Sequence, residues 1–145
     1  MTDVRQEAFI DAPVPVVWEL VSDVGRHPEW WPRVVEVGGD IFEQGSRYRQ
    51  VTKAMVGQDR TTLEIDELEE LDHLAIRCLD TGTYVRFVLT EAQGGTFVDT
   101  QMGMDPTGLR NRIFDTIMGQ RYFSSWLADT VASLSEAAKR RGGAS

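Results

Sequence analysis

Cysteine is almost absent from this 145-residue chain: Cys78 stands alone, which excludes an intrachain disulfide. Its place in an apolar alternation makes a buried, inert thiol the expectation. Histidine is nearly as scarce. His27 and His73 belong to no H-E-x-x-H or Cys/His pattern, so no metal is expected and a surface position is expected for each. The apolar runs are too short for a membrane-spanning helix. The first residues, MTDVRQEAF, carry charges where a secretory signal has its apolar core, so a cytoplasmic protein is expected. Basic charge is in deficit: 15 Lys and Arg against 23 Asp and Glu leave a net charge of -8. That disfavours nucleic acid and anionic membrane as partners, since both demand a positive footprint. The one basic cluster, Lys139-Arg140-Arg141, falls at the end of a predicted helix, where it complements the helix dipole. There is no G-x-S-x-G elbow and no phosphate-binding glycine loop, so no nucleotide and no other cofactor is expected. The glycines of "GDIFEQG" suit hairpin turns that need positive φ.

What is present fits one soluble domain spanning 1–145, with 41% apolar and 26% charged residues. Val4, Ala8 and Ile10 alternate with Arg5 and Glu7 as in a strand. Asp11, as a side-chain acceptor, and Pro13 then mark a helix start, and Gly25 its stop. Val14, Val17, Trp18 and Val21 recur at helical spacing between them. The segment "GRHPEWWP" leaves room for one more helical turn, limited by its prolines. From Arg33 to Asp105 the period changes to two. Tyr48, Gln50 and Thr52 oppose Arg47, Arg49 and Lys53; Leu63 and Ile65 oppose Glu64 and Asp66. Leu74, Ile76 and Cys78 oppose Arg77; Val85, Phe87 and Leu89 oppose Tyr84 and Arg86; Val98, Thr100 and Met102 oppose Asp99 and Gln101. One apolar and one charged face per run predicts an antiparallel sheet wet on one side. The acidic run "DELEELD", Asp66 to Asp72, is expected as a solvated hairpin end. Beyond Pro106 a long helix is predicted to about Arg140, with Ile113, Ile117, Leu127, Val131 and Leu134 on its apolar stripe. The tail from about residue 142 is expected to be disordered.

This order predicts an α+β architecture in which the sheet curls around the long helix and each buries the other's apolar side. A strongly curved sheet around one helix seldom fills its interior, and the gap is a natural ligand cavity. "IDAPVPVVWELVSDVGRHPEWWPRV" resembles the opening of the START-like, or Bet v 1-like, superfamily, and "GSRYRQ" and "GGTFVDTQM" resemble its third and last strands. Within it the chain is most similar to the bacterial polyketide cyclase/dehydrase-like branch. The resemblance implies a helix-grip fold: a seven-stranded curved antiparallel sheet wrapped around a long C-terminal helix, with two short helices after strand 1. It also implies a cavity for lipids, polyketides, sterols or other apolar molecules. Some members cyclise or dehydrate polyketide chains.

Candidate cavity residues follow from the inward faces. From the connection and the sheet these are Trp30, Tyr48, Gln50, Thr52, Leu63, Ile76, Phe87, Thr100 and Met102. From the long helix they are Ile113, Ile117, Gln120, Arg121 and Ser124. Trp30 is expected to turn inward as the end wall. Gln120 and Ser124 interrupt an apolar stripe, which suggests a cavity with a polar side. Arg86, Arg110, Arg112 or Arg121 could meet a ligand carboxylate as a bidentate fork, with Arg121 first among them. Methionines Met55, Met102, Met104 and Met118 are adaptable fillers. The leading expectation is a carrier or sensor, monomeric or homodimeric, for a small hydrophobic molecule. An alternative is a polyketide cyclase, aromatase or dehydratase in which Tyr48, Gln50, Gln120 or His27 moves protons. Another is an accessory domain that docks on a protein through an exposed patch around Trp30 and Trp31, with a collapsed cavity.

Overall fold

Charged and apolar residues alternate along β1 (Thr2–Ile10), and the alternation sorts its faces: Val4 and Ile10 are buried, while Arg5 and Glu7 lie in solvent. The computed structural model describes residues 1–54 and 56–143. Met55, expected as a filler, and positions 144 and 145 of the expected tail lie outside the described residues. At 142 and 143 the expected tail is helix instead, because the last helix continues through Gly143.

After β1 the chain enters α1 (Val14–Ser22), capped by Pro13 and with Pro15 in its first turn, where a missing N–H costs no hydrogen bond. No side-chain oxygen caps this helix, so Asp11 does not act as the expected acceptor. The helix also ends before Gly25, at Asp23, and a 3₁₀ turn (Val24–Glu29) carries the chain through Gly25 and Pro28. Pro28 has no N–H for an α-helical ladder, which suits a short 3₁₀ segment.

The remaining strands are β2 (Val34–Gly38), β3 (Arg47–Lys53), β4 (Gln58–Glu69), β5 (His73–Cys78), β6 (Thr83–Ala92) and β7 (Gly95–Met104). All pair antiparallel in the order β1-β7-β6-β5-β4-β3-β2. The acidic run is therefore mostly strand: Asp66 to Glu69 complete β4, and only its last residues turn. Register shifts at Ile65/Glu67 in β4 and Val34/Glu36 in β2 bend these strands, as bulges do. The buried face carries cross-strand rows such as Ile65–Ile76–Val85–Met102 and Leu74–Phe87–Thr100.

At the turn between β5 and β6, Gly82 adopts φ +82°, and a Cβ there would lie 1.6 Å from the Asp105 carbonyl oxygen. Only glycine lets this turn receive the end of β7, where Asp105 N–H donates to the Gly82 carbonyl at 2.8 Å. That contact sets the departure of α2 (Gly108–Phe114) over the sheet. Then come a π-helical turn (Asp115–Gly119) and α3 (Gln120–Gly143).

The helix corrects the predicted stripe. Phe123, Leu127, Val131 and Leu134 are buried, but Ile113 is 51% and Ile117 75% exposed. A π turn holds more residues per turn than an α-helix, so it rotates everything before it relative to the face after it. Asp115 and Gly119 take the inward positions instead. There Thr2 N–H donates to Asp115 Oδ1 at 2.9 Å, and Gly119 leaves room for the Thr2 side chain.

Candidate functional site

The curved sheet and the helix enclose a cavity of about 560 Å³, within the ~300–1,000 Å³ range of small-molecule sites. Its floor is built from inward positions of five strands: Gln50, Leu63, Ile76, Cys78, Val85, Met102 and Met104. Its roof is aromatic: Phe114 of α2 and Tyr122, Phe123 and Trp126 of α3. Exposed residues surround the mouth. Val56, Asp59 and Arg60 come from the β3–β4 hairpin, Arg110 from α2. Thr52, Ala54, Thr61, Thr81, Thr83, Tyr84 and Asn111 complete the lining between floor and rim.

The closed end is a tryptophan wall, but Trp31 rather than Trp30 lines the cavity. The two indoles are both 6% exposed and stack at 5.5 Å with planes 13° apart. Phe87 stands edge-on to both, at 5.4 Å from Trp31 and 6.2 Å from Trp30. Trp30 faces the other way because its Nε1–H donates to the Leu20 carbonyl at 3.0 Å. Leu20 lies in the last turn of α1, where carbonyls have no helical partner. Trp30 thus anchors α1 and lines a separate cleft of about 290 Å³ with Leu20 and Ala137.

His27 corrects the surface expectation: it is fully buried, edge-on to Trp31 at 4.9 Å. Its Nε2–H donates to the Val21 carbonyl at 2.8 Å, leaving Nδ1 as an unpartnered acceptor. A carbonyl only accepts, which assigns this tautomer. Burial pushes the imidazole pKa down to about 4, against the smaller upward pull of the Val21 hydrogen bond. His27 is therefore neutral near pH 7 and serves as a hydrogen-bonded core residue. His73 lies half-buried between Asp72 and Glu67 and does not line the cavity.

Of the other expected site residues, Gln50, Thr52, Leu63, Ile76 and Met102 come together in the lining. Tyr48, Phe87 and Thr100 are buried just behind it. Tyr48 pairs in register with Leu63, which pairs with Cys78, so the three form one row on the concave face. Burial, and then the proximity of Cys78, push the Tyr48 phenol well above its ordinary range. Ile113, Ile117, Gln120, Arg121 and Ser124 lie outside the cavity on the exposed side of the helix. The rotation at the π turn accounts for the two isoleucines. Gln120 and Ser124 meet each other instead, Nε2 to Oγ at 3.3 Å. Among the arginines weighed for a ligand carboxylate, Arg110 reaches the mouth, whereas Arg86 is ion-paired with Glu67 at 3.2 Å. Arg112 and Arg121 are solvent-exposed.

Sequence reasoning missed Trp31 and most of the roof. Counting helical turns back from Leu134 leads to Trp126, Phe123 and Gly119, and that phase was the signal for the roof. Arg33 braces it from outside, with its guanidinium 5.0 Å from the Tyr122 ring and 5.7 Å from that of Trp126. Trp126 Nε1–H donates to the Pro32 carbonyl at 2.8 Å, tying the roof to the tryptophan connection. Several buried polar atoms have no partner among the described residues, including Trp31 Nε1, Tyr48 Oη, Thr100 Oγ1 and His27 Nδ1. Each such group costs about 1–3 kcal/mol unless something meets it.

Among the described residues, no helix is long and apolar enough to cross a membrane. No curated protein matches the sequence. Solved structures do. A protein from Thermus thermophilus is 22% identical with a TM-score of 0.72, over 99% of this chain and 98% of that one. A protein from Nitrosomonas europaea is 15% identical with a TM-score of 0.72, over 96% and 95%. The di-domain ARO/CYC StfQ from the steffimycin biosynthetic pathway is 16% identical with a TM-score of 0.71; the match spans 97% of this chain and 52% of that one. At these identities the likeness is one of fold, and it is the helix-grip fold expected from the sequence. The family model described as polyketide cyclase / dehydrase and lipid transport matches residues 1–138, and the chain belongs to that family.

Proposed function

We propose that the protein is a carrier or sensor that holds a small, largely apolar molecule between its sheet and its C-terminal helix. The observation that carries this is the cavity itself: an apolar floor, an aromatic roof and a polar mouth. Family membership supports the same reading. Among the described residues the lining holds no histidine and no glutamate, and its one aspartate, Asp59, sits exposed at the rim. Among the described residues no histidine–carboxylate pair faces the interior, and binding explains the geometry better than proton transfer does. Docking through an exposed tryptophan patch is not supported, since both tryptophans are buried and the cavity is open.

Native mass spectrometry of the purified protein, followed by extraction, tests this directly. The expected result is a co-purifying apolar molecule, or a raised melting temperature on adding one. A ligand at 100 times its Kd adds ~2.7 kcal/mol of stability, an easily measured shift. Carrier function is refuted if nothing is bound and no apolar compound raises the melting temperature. Turnover of a polyketide-like chain, lost on changing Tyr48 or Gln50, would instead establish the cyclase alternative.

A further inference from the structure

The closed end of the cavity does not suit a plain hydrocarbon. Trp31 lines the cavity and is almost wholly buried, yet its Nε1–H meets no acceptor among the described residues. An indole N–H can only donate, so what completes it must bring an acceptor. Tyr48 Oη, also buried and without a partner, belongs to the cross-strand row of Leu63 and Cys78, both of which line the cavity. Thr100 Oγ1 is a second hydroxyl without a partner among the described residues; Thr100 pairs in register with Phe87, which touches Trp31. Gln50 adds a buried amide to the same floor. Trp30 sharpens the contrast, because the neighbouring indole has its N–H satisfied by Leu20 within the protein.

We infer that the closed end is a recognition site for an oxygen: the ligand is an apolar molecule whose inward end carries a carbonyl or other hydrogen-bond-accepting oxygen, and Trp31 is its specificity-determining donor. This rests on the reading of the cavity as an apolar-ligand site and narrows it. A saturated acyl chain entering tail first keeps its oxygens at the mouth and leaves the inner donors unmet. A molecule with an oxygen on its leading end brings the acceptor that the Trp31 N–H lacks.

Two planar probes of matched shape test this on the full chain. They are 2-acetylnaphthalene, which bears a carbonyl, and 2-isopropenylnaphthalene, in which CH2 replaces that oxygen. Affinities are measured by calorimetry and corrected for each probe's water–octanol partition. The ketone is expected to bind about tenfold more tightly, the factor that one hydrogen bond to an otherwise unmet buried donor supplies. In Trp31→Phe the preference is expected to collapse to within about twofold while hydrocarbon affinity survives. Tyr48→Phe, a change that removes one oxygen from a fully retained ring, provides an independent check and is expected to lower ketone affinity alone. Equal binding of both probes to the wild type overturns the inference and leaves the apolar cavity standing. A ketone preference unchanged in both variants also overturns it. Binding of neither probe also overturns this inference, while the cavity reading stands or falls on co-purification and the melting-temperature test.

Discussion

The two parts of the C-terminal helix carry the same kind of side chain and put it to opposite uses. In α3, Phe123, Leu127, Val131 and Leu134 are buried against the sheet, whereas in α2 and the π turn Leu109, Ile113 and Ile117 face solvent. Apolar content therefore does not decide which segment forms the core; phase does. The π turn at Asp115–Gly119 separates a segment whose apolar stripe is buried from one that leaves Leu109, Ile113 and Ile117 in solvent. The largest expected effect tests the filled side. Leu134 is fully buried, and Leu134→Ala should cost about 2–5 kcal/mol by denaturant unfolding. A cost no larger than that of a surface change would mean α3 is not close-packed in the core.

The next effect comes from beneath the tryptophan wall. His27 is neutral in the folded protein with its pKa near 4, held there by burial. In the unfolded chain an ordinary imidazole takes its proton near pH 6.5. The unfolded state thus binds a proton that the folded state refuses, so this contribution to stability is complete above pH 6.5 and is lost as pH falls toward 4. Between pH 7.5 and 5 the single group should remove about 2 kcal/mol. His27→Gln should flatten that slope in pH-dependent unfolding. An unchanged slope would mean that other groups govern acid stability.

Much of this was legible from the sequence, and the failures share a cause. Strand faces such as Leu74, Ile76 and Cys78 against Arg77 were readable because a period of two survives twist and curvature. The buried end of α3 was readable for the same kind of reason. The front of the helix was not. Counting at 3.6 residues per turn assumes an unbroken α-helix, and the break falls where Asp115 meets a residue far away in the chain, Thr2. The tryptophans and His27 failed similarly: which ring turns inward depends on the carbonyls of Leu20 and Val21, freed where α1 ends. Local pattern locates elements, while long-range hydrogen bonds choose among the side chains within them.

A smaller change tests the junction between the two helical parts. A Cβ on Gly119 would lie 2.3 Å from Thr2 Oγ1 and 2.8 Å from Asp115 Oδ1. Gly119→Ala should therefore cost about 1 kcal/mol, the low end of overpacking penalties, because the crowding falls on side-chain atoms rather than on backbone. The loss should fall first on amide protection at the start of β1, which hydrogen exchange reads directly. Protection lost equally throughout the sheet would show that the contact is not a local one.

The smallest expected effect makes the comparison sharpest. Ile117 belongs to the stripe predicted for an uninterrupted helix, on which Ile117→Ser would hollow the core and cost several kcal/mol. With the π turn in place the side chain is 75% exposed, and surface changes of this kind stay within about 0.5 kcal/mol. Unfolding of Ile117→Ser beside Leu134→Ala thus separates the two geometries by a wide margin. Affinity for a hydrocarbon probe should also be unchanged, since Ile117 does not line the cavity. A loss above about 1 kcal/mol, or weakened binding, would show that Ile117 spends its time facing inward and that the helix runs unbroken in solution.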